Sequence, residues 1–234
     1  MNLLAIDTVT EMASIALLSS DDVLIDEALV PQQHTKVILP MIQKQMTKAG
    51  LSFAQLDAIA FSRGPGSFTG LRICASITQG LAIAHDLPVI PVSSLQILAQ
   101  GAYREDNSKL NIAACLDARR NEVYWGAYKL VTQADGTSLM TLIGEEAVTA
   151  PGLVETETGG PWHGVGSGLK SYAAELAANP QVNLASMESE RFPLAQDALI
   201  YAKNAWGQKQ FVDASLAIPT YLRDNIATPP QNKV

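Results

Sequence analysis

Cysteine is nearly absent: two thiols occur in 234 residues, Cys74 and Cys115, each inside an apolar stretch and with no Cys-x-x-Cys pair. That excludes a disulfide framework and a zinc ribbon, and predicts two buried free thiols. Histidine is also scarce, and His34, His85 and His163 are too scattered to share a metal-ligand spacing, so no metal site is expected. Charged residues make up 17% with a net charge of -7, and no basic run exceeds Arg119-Arg120. The summed field therefore disfavours a polyanion, and the chain alone is expected to hold nucleic acid weakly or not at all. No uncharged stretch reaches membrane-spanning length, and the apolar opening, without a basic segment ahead of it, is interrupted by Asp7. No membrane association and a cytoplasmic location are expected.

What is present is apolar and patterned. Hydrophobic residues reach 47%, enough to bury a core, and the length suits two lobes of ~100–150 residues each. Residues 3–7, 12–18 and 23–30 read as three strands joined by tight turns, and 34–49 as helical and ended by Gly50, with Pro40 either starting the regular helix or kinking one that begins near Thr35. A strand over 57–62, a glycine-rich loop at 64–70, a helix over 70–85, a strand over 87–92 and a serine-capped helix over 94–103 follow. After a polar linker at 103–109 the programme restarts: 111–117 is an apolar run ending in Asp117, 118–121 a turn, 122–131 a strand. Residues 140–143 read as a further strand and 169–178 as a helix behind a second glycine-rich turn. Leu116-Asp117 repeats Ile6-Asp7, each pair followed by a turn and an alternating strand, so a duplicated RNase-H-like lobe is the economical reading. The expected division is 1–102 and 103–214, with 215–234 packing back on the first lobe and its last residues frayed.

Two constellations bear on chemistry. In Gly64-Pro65-Gly66-Ser67-Phe68-Thr69-Gly70 the glycines would let backbone N–H groups approach a phosphate at a helix start, but Leu71 stands where a Walker loop has lysine. A degenerate phosphate site and a tight strand-to-helix connection both fit. Asp7 and Asp117, at equivalent strand ends, fit either magnesium-organising carboxylates or turn caps. Asp7, Thr8, Gly64, Gly66, Ser67 and Asp117 are thus the candidates for a vestigial nucleotide site.

The run Ser62-Arg63-Gly64-Pro65-Gly66-Ser67-Phe68-Thr69-Gly70-Leu71-Arg72 resembles the signature of the TsaB (YeaZ) family. Leu4-Ala5-Ile6-Asp7-Thr8, the stretch from His34-Thr35 to Leu39-Pro40, Asp117-Ala118-Arg119 with Glu122-Val123-Tyr124, and Pro219-Thr220-Tyr221-Leu222-Arg223 are similar to that family in order and spacing. The resemblance implies an α/β fold of two RNase-H-like lobes of the actin, Hsp70 and sugar-kinase (ASKHA) type, each a mixed sheet with flanking helices. It implies a non-catalytic subunit for threonylcarbamoyladenosine formation on tRNA, a homodimer when isolated and a heterodimer with the catalytic relative TsaD. TsaE would join the larger complex, and tRNA would be reached only through it. No cofactor of its own is implied, with ATP and a metal ion on the partner subunits. TsaD-like sequences carry a His-x-x-x-His pair just after the strand corresponding to 87–92, where this chain reads Val92-Ser93-Ser94-Leu95-Gln96-Ile97-Leu98.

Between Gly70 and Ala84 only Arg72 and Gln79 are strongly polar, beside a large ridge (Ile73, Ile77, Leu81) and a small one (Ser76, Gly80, Ala84). A helix apolar over most of its circumference needs cover on more than one side. With Ile38, Ile42 and Met46 of the preceding helix, these residues are the expected interface. The competing readings are an independent ATP-dependent enzyme of the same fold and a glycoprotease-like peptidase.

Overall fold

The computed structural model describes residues 1–156 and 161–223. Residues 224–234, the larger part of the segment expected to return to the first lobe and all of the expected frayed end, lie outside the described residues.

The apolar run at the start forms strand β1 (Asn2–Asp7), which pairs antiparallel with β2 (Met12–Ser19), itself antiparallel to β3 (Asp22–Leu29). Helix α1 (His34–Ala49) leads to β4 (Ala58–Gly64), helix α2 (Phe68–His85) to β5 (Val89–Ser93), and helix α3 (Ser94–Glu105) leaves the sheet. The strand order is β3-β2-β1-β4-β5, with β4 and β5 parallel to β1. The second half repeats it. Strands β6 (Asn111–Arg119), β7 (Glu122–Thr132), β8 (Ser138–Thr149), β9 (Trp162–Val165) and β10 (Leu184–Glu188) run in the order β10-β9-β6-β7-β8, with the same antiparallel and parallel pairings. The chain is a duplicated RNase-H-like lobe, each copy a mixed five-stranded sheet.

The helices between strands shrink in the second copy. Where the first lobe has α1, the described residues of the second have a single turn at Pro151–Leu153. Where it has α2, the second has two short pieces, α4 (Gly168–Ser171) and α5 (Ala173–Ala178), divided at Tyr172. The single helix expected over 169–178 is thus two, and the short strand expected over 140–143 lies in the first half of the twelve-residue β8. In α1, Pro40 sits inside the helix rather than at its start, on the exposed side, so the backbone bond it removes falls toward solvent.

Both faces of the first sheet are covered. Leu4, Ile6, Ile15, Leu17, Ile59 and Phe61 pack against α1 and α2 on one side. On the other, Leu3, Ala5, Ala16, Ala58 and Ala60 meet α6 (Ala195–Gly207), which follows the second sheet in the chain. Reciprocally, α3 follows the first sheet but packs Leu95, Leu98, Ala99 and Ala102 on Ile112, Leu116, Tyr128 and Met140 of the second. The exchange puts α3 and α6 back to back between the sheets. There Arg104 Nε donates to the buried carboxylate of Asp197 at 2.6 Å, and the Tyr201 hydroxyl donates to Gln100 Oε1 at 2.8 Å. Gly101 is small because Asp197 Oδ2 lies 2.7 Å from where its Cβ would stand. Cys74 and Cys115 are free and buried, and burial pushes both thiols well above their usual range. No helix among the described residues is long and apolar enough to cross a membrane.

Candidate functional site

Equivalent parts of the two lobes face each other across a cleft of about 670 Å³. The first lobe contributes the β1–β2 turn and the start of α2, the second the β6–β7 turn and Ser167, and the C-terminal segment crosses between them. Of the six nucleotide-site candidates, Gly66, Ser67 and Asp117 line this cleft. Asp7 and Thr8 are fully buried in its wall, and Gly64 lies at the end of β4 with φ +108°.

The glycine-rich loop is packed against its own neighbour. A Cβ on Gly66 would stand 2.6 Å from Val9 O, and one on Gly70 would collide with Thr8 O. Ser67 N–H donates to Val9 O at 2.8 Å, Gly70 N–H to Ser67 Oγ at 3.4 Å, and the Thr8 hydroxyl to Gly70 O at 2.8 Å. The loop thus grips the β1–β2 turn of its own chain with an N–H that a phosphate cradle would leave free.

The two aspartates, alike in sequence, differ in state. Asp117 accepts from Arg119 N–H (2.7 Å), Arg119 Nη1 (3.1 Å), the Ser171 hydroxyl (3.1 Å) and the Tyr172 hydroxyl (3.3 Å), so its carboxylate caps the β6–β7 turn and ties it to α4. Among the described residues Asp7 accepts only Val9 N–H, at 3.1 Å through Oδ1; Oδ2 has no partner among them, and the neighbouring Ser62 hydroxyl is outside hydrogen-bond geometry. Burial pushes Asp7 up from 3.8 to about 7. Among the described residues no three His, Cys, Asp or Glu side chains are grouped to hold a metal ion.

The segment 218–223 fastens the cleft. Thr220 N–H donates to Arg63 O at 2.8 Å, and Tyr221 lies 5.7 Å from the Phe68 ring while accepting from Arg72 Nε at 3.3 Å. Arg223 reaches the other lobe, donating to Ala118 O at 3.2 Å and pairing with Glu122. Both members of that pair are partly solvated, so it contributes no more than about 1 kcal/mol. Arg223→Ala is expected to leave the melting temperature almost unchanged while speeding hydrogen exchange at the Thr220 amide. Exchange mass spectrometry at the wild-type rate would show that the first lobe alone holds the segment.

The expected interface divides in two. Ile38, Ile42 and Met46 are 0–1% exposed in the core of the first lobe, because α1 lies with its apolar stripe on the sheet; these three have no area to offer a second chain. Ile73, Ile77 and Leu81 are half-buried against the same core. Ser76, Gly80 and Ala84 are exposed along the outer face of α2. A heptad-like pattern reports only that an apolar stripe is covered, which is why the sequence cannot separate cover by the chain's own sheet from cover by a partner.

The family model for TsaD, tRNA N6-adenosine threonylcarbamoyltransferase, matches residues 28–230. Over 230 residues the chain is 39% identical to the Escherichia coli K12 protein named tRNA threonylcarbamoyladenosine biosynthesis protein TsaB, covering 97% of this chain and 96% of that one. The chain belongs to the TsaB family. YeaZ from Pseudomonas aeruginosa superposes with a TM-score of 0.86 at 41% identity, over 94% of this chain and 99% of its own.

In this TsaB-family chain the α2 face has a neighbour from the start of the segment expected to return to the first lobe, though the sequence did not place it on α2. The Ala214–Leu216 turn packs beside α2, and Gln79 Nε2 donates to Ser215 O at 3.2 Å. Leu216 and Ile218 remain 53% and 58% exposed, and Ile83 on α2 itself 63%. Large apolar side chains left in water on α2 and on the segment that follows the turn beside it make a surface that gains by being covered. The signal was legible only as Leu216-Ala217-Ile218 just before Pro219, too short for a periodicity argument.

Proposed function

We propose that the chain is a non-catalytic subunit in the formation of the threonylcarbamoyl group on N6 of adenosine in tRNA. It acts by pairing with the catalytic relative TsaD, with the ATPase TsaE in the larger complex. ATP and a metal ion belong to the partner subunits, tRNA is engaged through the assembly, and isolated chains pair with each other.

The observation that carries this reading is kinship with TsaB over essentially the full length of both chains. Two features of the molecule support it. The aspartate of the first hairpin is sealed in the wall of the cleft rather than presented to it. The outer face of α2 exposes a row of small residues, Ser76, Gly80 and Ala84, together with the large apolar Ile83.

The test is co-purification with TsaD followed by a tRNA modification assay with and without this chain. Stable co-elution is expected, with modification that requires both proteins and no turnover by this chain alone. Modification at full rate without the chain would sink the proposal, as would transferase or peptidase turnover by the purified chain that Asp7→Ala abolishes.

A further inference from the structure

The β6–β7 turn presents two adjacent arginines to the cleft in an unusual backbone state. Arg119, Arg120 and Asn121 have φ of +62°, +56° and +61°, three consecutive left-handed residues of which only asparagine is at ease there. None of the residues of the equivalent β1–β2 turn has a positive φ. Arg120 and Asn121 are the central pair of a two-residue hairpin turn, which takes this hand, and Arg119 closes the bulge that follows Asp117, so the turn holds both arginines in a fixed direction.

Around that turn the acidic excess of the chain is cancelled. The net charge is -7, yet Arg119, Arg120, Lys170 and Arg223 line the cleft against Glu11 and Asp117. Glu122 and Glu190 pair with Arg223 and Lys170 from its margin. The pairs Arg119–Asp117 and Lys170–Glu190 have cations 79% and 71% exposed, so they are held weakly and exchange readily for another anion. Opposite, α2 begins at Phe68 behind its Ser67 cap and turns the positive end of an eighteen-residue helix toward the same space. Phe68 and Tyr221 stand at the rim, with the Arg72 guanidinium 3.7 Å over the Phe68 ring.

We propose that this cleft mouth is a contact for a single-stranded segment of RNA, with Arg119 and Arg120 on backbone phosphates and the Phe68–Tyr221 pair as a platform for a base. A space of about 670 Å³ admits an unstacked nucleotide and no duplex. Arginines tracking a backbone beside aromatic rings are how single strands are held without sequence reading. The proposal rests on the functional reading above and adds a direct contribution of this subunit to tRNA, made inside the assembly because the acidic total keeps the lone chain from holding tRNA.

The test uses the complex with TsaD and fluorescent tRNA, comparing wild type with Arg119→Asn/Arg120→Gly. Asparagine and glycine suit the left-handed backbone, so the variant loses two charges without losing the turn. Counterion release at single strands gives a slope of about -0.7 per phosphate contact, so the log–log salt slope is expected to flatten by about 1.4, a deficit widening about 25-fold between 1 M and 0.1 M salt. An unchanged slope and affinity, in a complex that still assembles and modifies tRNA, would overturn the RNA contact and leave the subunit role intact. If the variant instead weakens assembly with TsaD and leaves RNA affinity unaltered, the arginines face protein and the proposal is equally wrong. Failure of the wild-type complex to form would strike the functional reading itself.

Discussion

Asp7→Asn is expected to stabilise the protein, and to do so more as pH rises. The carboxyl group titrates near 3.8 in the unfolded chain and at about 7 in the folded one, because burial penalises its charged form. The folded state therefore holds the proton more tightly. This group's contribution is most favourable below pH 3.8, declines as pH climbs toward 7, and is fully lost above that. The gap corresponds to roughly 4 kcal/mol. Asparagine keeps the oxygen that accepts Val9 N–H and places an amide donor where Oδ2 has no partner, beside the equally unpartnered Ser62 hydroxyl. Near pH 4 the variant and wild type should melt together; at pH 8 the variant should melt higher by on the order of 10 °C. Other carboxyls shift in both directions, Asp197 and Glu27 up and Asp26 and Glu188 down, but all are common to the two proteins and cancel in the difference. Denaturation curves at five pH values decide it. A difference that does not grow between pH 4 and 8 would mean that Asp7 is ionised in the fold or reached by water.

The fold was legible wherever an element's pattern reflects its own sheet. The three-strand meander, α1, α2 and the restart at Asn111 follow from local periodicity and turn residues, and the pairing of Ile6-Asp7 with Leu116-Asp117 exposed the duplication. The second lobe resisted. The strand expected over 140–143 runs on in β8 to Thr149, through Gly144 at φ +74°. Glu146 stays inside because Ser93, Tyr128 and Arg63 all donate to it from other elements. No short-range signal announces three donors that converge from far apart in the chain. Helix α6 does show its spacing, in Ala195, Ala198, Leu199 and Ala202, but nothing local says that it will cross to the first lobe's sheet. The candidate site was legible as residues and illegible as states. Asp7 and Asp117 look equivalent in sequence, while one is sealed and starved of donors and the other is saturated with them.

Gly80→Arg is expected to abolish association while leaving the monomer at least as stable. Gly80 is exposed on α2, a Cβ added there meets nothing within 4 Å, and its backbone is ordinary helix. Replacing a helical glycine removes about 1 kcal/mol of conformational penalty, so folding is not at risk. Ile77→Glu lacks this advantage, since Ile77 is half-buried against the core of its own lobe and a charge there would damage the monomer as well. Ser76, Gly80 and Ala84 form the row along which another backbone can approach closely, with exposed Ile83 on the same helix and the Ala214–Leu216 turn packed beside it. Apolar area covered on pairing contributes ~25 cal/mol per Å². An arginine at the centre of the row holds the two surfaces apart, and a lost interface of even 4 kcal/mol is roughly a thousandfold in affinity. Light scattering after size exclusion should then report a folded monomer, and TsaD should no longer co-elute. Ile83→Glu, 63% exposed at the edge of the same face, should weaken both associations to a smaller degree. Should Gly80→Arg remain dimeric and still capture TsaD, the pairing surface lies off α2, and the exposed apolar residues beside it have another use.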